Sequence, residues 1–113
     1  MRIGPLPKRW LIHSIEYYEY LGEDDWSNPI YDDPITIKNV RFDDSTVFSR
    51  DTTQTKILAD AVIFVDVTHS DPVPDFKERS RIQFGDRDMI LQKVIPCFYP
   101  HKNEVRHYEL EVI

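Results

Sequence analysis

The stretch Arg81-Ile82-Gln83-Phe84-Gly85-Asp86-Arg87-Asp88-Met89-Ile90-Leu91-Gln92-Lys93-Val94-Ile95-Pro96 decides the fold class, together with Val105-Arg106-His107-Tyr108-Glu109-Leu110-Glu111-Val112-Ile113 after a turn. Apolar and β-branched runs flank Gly85–Asp88, so the first part reads as two strands joined there. In the second part Tyr108, Leu110 and Val112 fall on one face, and His107, Glu109 and Glu111 on the other. A period of two is the mark of a half-buried strand. The sequence ends inside this strand, so its last residues are expected to be tied into a sheet.

Working outward, Ile57–His69 reads as the central strand, with Ala59, Ala61, Ile63, Val65 and Val67 on one face. Val62 and Phe64 add apolar groups to the other face, which predicts burial on both. Pro34–Phe42 places Ile35 and Ile37 in one phase and Val40 and Phe42 in the other; the change at Asn39 predicts a bulge or a strand that switches its buried face. Trp10–Leu21 is ambiguous. Strand phasing groups Leu11, Ile15 and Tyr17 against Trp10, Ile12, Tyr18 and Tyr20, whereas helix phasing groups Leu11, Ile15 and Tyr18. Its aromatic and β-branched content favours strand.

Between these strands, Gly22–Asp33 reads as an acidic loop. Residues 1–9, with Gly4, Pro5 and Pro7, read as an irregular arm, either loosely held or packed on a neighbouring subunit. Asp71-Pro72 and Val73-Pro74 predict a rigid, extended link, and Pro96 and Pro100 bracket a turn. The longest irregular stretch is Asp43-Asp44-Ser45-Thr46-Val47-Phe48-Ser49-Arg50-Asp51-Thr52-Thr53-Gln54-Thr55-Lys56. Loops beyond about 12 residues are uncommon in compact domains and often functional. Val47 and Phe48 in its middle read either as a short extra hairpin or as a contact with another subunit. The sum is an all-β, single-domain chain of about six strands, closed as a small β-barrel or sandwich, with one long inter-strand loop.

Composition narrows the function. The chain has 113 residues, enough for one domain, and 41% are hydrophobic. A net charge of -6 argues against tight, non-specific DNA binding, which needs clustered Lys and Arg. With one cysteine, Cys97, no intrachain disulfide can form. Arg2, Lys8 and Arg9 are not followed by the apolar run of a signal peptide, and no stretch approaches the ~18 apolar residues of a membrane span.

Chemistry is thinly represented. Cys97, His101 and His107 lie near one another, with His13 and His69 elsewhere, but the paired spacing of a structural zinc site is missing. Cys97 therefore reads as a small buried hydrophobe and no metal is expected. The adjacent acids Asp24/Asp25, Asp32/Asp33 and Asp43/Asp44 read as solvated turn residues. Asp66, in the central strand, needs a partner such as an arginine or a backbone amide if its face is buried. No Gly-x-Ser-x-Gly turn is present. The three glycines, at 4, 22 and 85, cannot write a phosphate loop. No catalytic residue and no cofactor is expected.

Three segments taken together carry a resemblance: Ile35-Thr36-Ile37-Lys38-Asn39-Val40-Arg41-Phe42-Asp43, Ala61-Val62-Ile63-Phe64-Val65-Asp66, and His107–Ile113. The chain resembles the small minor capsid proteins of tailed phages and prophages of Gram-positive bacteria, similar in turn to head-completion, or stopper, proteins. The likeness covers residues 8–113, and its firmest parts are the C-terminal ending and Val40-Arg41-Phe42-Asp43. It implies a non-enzymatic β-barrel, made in the bacterial cytoplasm and built into the virion as a homo-oligomeric ring at the head–tail interface. That ring would lie below the portal and its adaptor, close the DNA exit channel after packaging, and offer the tail a docking surface. Packaged DNA would be contacted only as a channel plug, and no membrane is implied. In stoppers a long loop between barrel strands gates the channel; the matching position is Asp43–Lys56, with no single gating residue fixed. The alternatives are a tail-completion or tail-terminator protein with a related barrel, and an unrelated β-barrel binding module.

Overall fold

A computed structural model describes residues 4–44, 47–48 and 57–113. Among them are ten strands: β1 (His13–Tyr18), β2 (Tyr20–Glu23), β3 (Pro29–Tyr31), β4 (Ile35–Asp43), β5 (Val47–Phe48), β6 (Ile57–Ala59), β7 (Ala61–Asp66), β8 (Arg81–Phe84), β9 (Arg87–Phe98) and β10 (Val105–Val112). Six of them close a barrel in the order β1-β4-β7-β10-β9-β8, and the β8–β1 pairing completes the ring. Each of its ladders is antiparallel. The remaining four form two small ladders, β2–β3 and β5–β6.

Alternation fills the interior. Ile15 and Tyr17 enter from β1, Ile37, Val40 and Phe42 from β4, and Ala61, Ile63 and Val65 from β7. Ile82 comes from β8, Met89 and Leu91 from β9, and Leu110 and Val112 from β10. The predicted phase change in β4 is real. Asn39 takes φ +59°, a left-handed value that Asn tolerates, so Ile37 and Val40 both point inward although three residues apart. Asn39 Nδ2 donates to the His69 carbonyl at 3.1 Å, and Ser70 Oγ donates to the Asn39 carbonyl. A second bulge lies where the β9–β10 register shifts, so Leu91 and Val94 both reach the core.

Most of the ambiguous segment Trp10–Leu21 resolves as strand, His13–Tyr18 in β1 and Tyr20–Leu21 at the start of β2, while Trp10 closes a short 3-10 turn (Lys8–Trp10); Leu11, just before β1, is buried, as are Ile15 and Tyr17 within it. Four expectations are corrected. Gly22–Asp33 is not a plain loop; β2 and β3 pair within it. Ile57–His69 is not one strand: the chain breaks at Asp60, and Val67 is 42% exposed beyond the end of β7. The turn before β9 is narrower than Gly85–Asp88, since Arg87 already pairs with Phe84. Pro96 does not flank a turn but lies inside β9 opposite Tyr108. Past Ile90 the β8 ladder has ended, so Pro96 lacks an N–H where that side needs none.

The connection from β7 to β8 is fastened to β1 by one buried phenol. Tyr17 Oη accepts from the Lys77 N–H at 2.8 Å and lies 3.1 Å from Ser80 Oγ, which itself accepts from the Tyr20 N–H at 3.0 Å. The Phe76 ring packs edge-on against Tyr17, centroids 5.3 Å apart. Tyr17→Phe keeps the ring and strands the Lys77 donor. It is expected to lower unfolding free energy by about 1–3 kcal/mol, measured by urea denaturation.

Candidate functional site

The long loop leaves the barrel between two strands that already pair with each other: Val40–Asp43 of β4 lies beside Val62–Val65 of β7. At its base Asp44 pairs with Arg87 at 3.2 Å, and the Arg87 guanidinium sits 5.0 Å over the Phe42 ring. Both partners are exposed, so the ion pair is worth little to stability. Farther out, β5 pairs with β6, Val47 opposite Ala59, which makes the hairpin reading of Val47 and Phe48 correct for the backbone. Asp43 is the last residue of β4 rather than part of the loop. Ser45, Thr46 and Ser49–Lys56 lie outside the described residues.

The β2–β3 hairpin was not legible as a surface feature. It carries Leu21, Trp26 and Ile30, exposed by 54%, 84% and 43%. Its tip is organised by Asp24, whose carboxylate accepts from the Trp26 and Asn28 N–H groups, both at 2.9 Å. Those bonds, the Asn28 N–H foremost, hold the Asp24 carboxyl below its ordinary value. Ser27 completes the turn with φ +62°. Trp26 thus presents most of its indole to solvent on a turn that hydrogen bonds hold in shape. Glu23, Asp25, Asp32 and Asp33 make the same hairpin strongly acidic.

Asp66 is fully buried and behaves as an anchor. Its Oδ1 accepts from the Leu6 N–H at 3.0 Å, and its Oδ2 from the Thr68 and His69 N–H groups at 3.0 and 2.9 Å. The expected backbone partner is thus present, and His69 meets Asp66 through its main chain. The Leu6 bond also draws the N-terminal arm onto its own barrel. Arg106 Nε holds the Gly4 carbonyl at 2.8 Å, and Leu11 is buried.

Cys97 is not the buried hydrophobe expected. It is half-buried on the outer face, where β9–β10 register sets it opposite His107. Its thiol donates to Glu109 Oε2 at 3.1 Å, and His107 Nε2 lies 3.2 Å from the same oxygen. Desolvation, then the Glu109 carboxylate, push the Cys97 thiol from an ordinary 9.0 up to about 11. His101 stands apart, near Tyr99. Clefts mark the surface among the described residues. One is lined by Ser14, Ile15, Glu16, Thr36, Gln83 and Gly85, another by Leu6, Trp10, Leu11, Arg41, Asp43 and Phe64. Neither of these brings acids and histidines together.

The minor capsid protein family model matches residues 7–112. The chain belongs to that family. A closed β-barrel accords with this membership, which makes the protein a structural component of a phage particle. No curated protein and no solved structure matches the chain.

Two measurements check the electrostatics. Asp66→Ala strands three donors and loosens the arm, leaving the Arg106 bond to Gly4 in place. It is expected to cost about 3 kcal/mol or more in denaturant unfolding, and to speed tryptic cleavage at Lys8 and Arg9. The raised Cys97 thiol stays protonated in the folded protein where an unfolded thiol ionises. Its contribution to stability is whole below pH 9.0 and is lost as pH rises through about 11. Alkylation by iodoacetamide is accordingly expected to be slow at pH 8 in the folded protein and fast after denaturation.

Proposed function

We propose that this minor capsid protein is a stopper at the head–tail connector, closing the DNA exit channel after packaging and presenting a surface to the tail. The observation that carries this reading is the insertion between β4 and β7. The barrel closes without it, because those two strands pair directly, and β5–β6 forms a ladder separate from the barrel sheet. Such a segment is free to serve a neighbour or a channel. Copies arranged head-to-tail with a closing rotation form a ring, in which identical loops occlude a central opening together. The exposed Trp26 hairpin suits contacts between copies or with the portal adaptor and tail. A net charge of -6 per copy keeps packaged DNA from adhering to the channel wall. In this reading the protein is non-enzymatic and acts by fit.

The test is to replace residues 49–54 with a short Gly-Ser turn in the parent phage. The isolated variant is expected to keep its thermal midpoint within a few degrees, since loop length adds little to stability. Particles should package DNA and then lose it, with unjoined heads beside finished tails in electron micrographs. Normal yields of full, tailed, infectious virions would sink the gate. Defective tails beside heads that retain DNA would favour a tail-completion role instead.

A further inference from the structure

We infer that Cys97, His107 and Glu109 form a binding site for a divalent metal ion of the zinc class on the outer face of the β9–β10 ladder. The register places Cys97 directly opposite His107, and Glu109 follows two residues on along the same face. Their donor atoms all lie within 4.8 Å of one another. The thiol and the imidazole converge on a single oxygen, Glu109 Oε2, at 3.1 and 3.2 Å. A tetrahedral zinc with bonds of about 2.0–2.3 Å holds its ligand atoms roughly 3.3–3.6 Å apart, so the thiol and the imidazole each need to open from Glu109 by only a few tenths of an ångström, while lying within 4.8 Å of each other.

The donor chemistry selects the ion. One sulfur, one imidazole nitrogen and one carboxylate oxygen form a mixed set that suits zinc and other late first-row divalent ions, and not calcium or magnesium. A thiolate and a carboxylate together neutralise a dication. Among the described residues the buried His107 Nδ1 has no hydrogen-bond partner, so Nε2, the atom facing Glu109, is the ring's only polar attachment there. On binding, the Cys97 proton leaves Sγ for solvent, the imidazole carries its proton on Nδ1, and Nε2 offers its lone pair. Three protein donors leave a fourth position for water or for a ligand from another chain. The ion would also pin the part of β9 beyond Ile90, where the β8 ladder has ended.

The experiment uses the full chain, reduced and stripped of metal, titrated with Co²⁺. One equivalent is expected to raise a thiolate-to-cobalt charge-transfer band in the near ultraviolet, and Zn²⁺ to bleach it by displacement. Cys97→Ser should abolish the band, while His107→Gln and Glu109→Gln should each weaken binding about tenfold or more. Zn²⁺ should raise the melting temperature of the unaltered protein and leave that of Cys97→Ser unmoved. If any variant fails to fold, X-ray absorption of the zinc-loaded natural chain decides: one sulfur in the first shell supports the site, and none overturns it. No charge-transfer band at millimolar Co²⁺, or an unchanged band in Cys97→Ser, would equally end the proposal.

Discussion

Closure of the sheet on itself is the constraint from which the rest follows. Once β8 pairs with β1, each of the six barrel strands has a neighbour on both sides, and the interior becomes a fixed volume that side chains must fill. A strictly alternating strand cannot always meet both demands. The chain answers with local irregularities. Asn39 turns left-handed so that Ile37 and Val40 both face inward, and the β9–β10 register slips so that Leu91 and Val94 do the same. These bulges are devices for bending strands around a small core.

Outside the barrel, single polar side chains hold long connections in place. Tyr17 fastens the β7–β8 connection through the Lys77 N–H, and Asp66 gathers three N–H groups from the arm and from the turn after β7. Both groups are buried and fully used, the condition under which a polar atom inside a small protein strengthens it. The same economy appears at the hairpin tip, where Asp24 orders the turn that carries Trp26.

Where the residues themselves alternate, the fold could be read before it was seen. The faces of β10, the inward pair Ile15 and Tyr17, and the kink at Asn39 were all legible. The β2–β3 hairpin was hidden because its strands are short and its aspartates and glutamates read as loop. Pro96 misled because the rule against proline in strands applies where both sides need donors, and which side does so depends on topology. Cys97 and His107 were grouped with His101 and set aside, and Glu109 was missed, for a related reason. Metal motifs are sought as spacings along a chain, whereas Cys97 and His107 meet across a ladder whose register is not written locally. The alternation of His107 and Glu109 on one face was the available clue.

The direct pairing of β4 with β7 has an evolutionary corollary. Because the strands on either side of the insertion already touch, the chain between them spans almost no distance, and doubling its length would cost only about 0.6 kcal/mol of closure entropy. Lineages can therefore rewrite that segment, lengthening, shortening or recharging it to suit a new neighbour, while the shell beneath stays under an unrelated selection for packing.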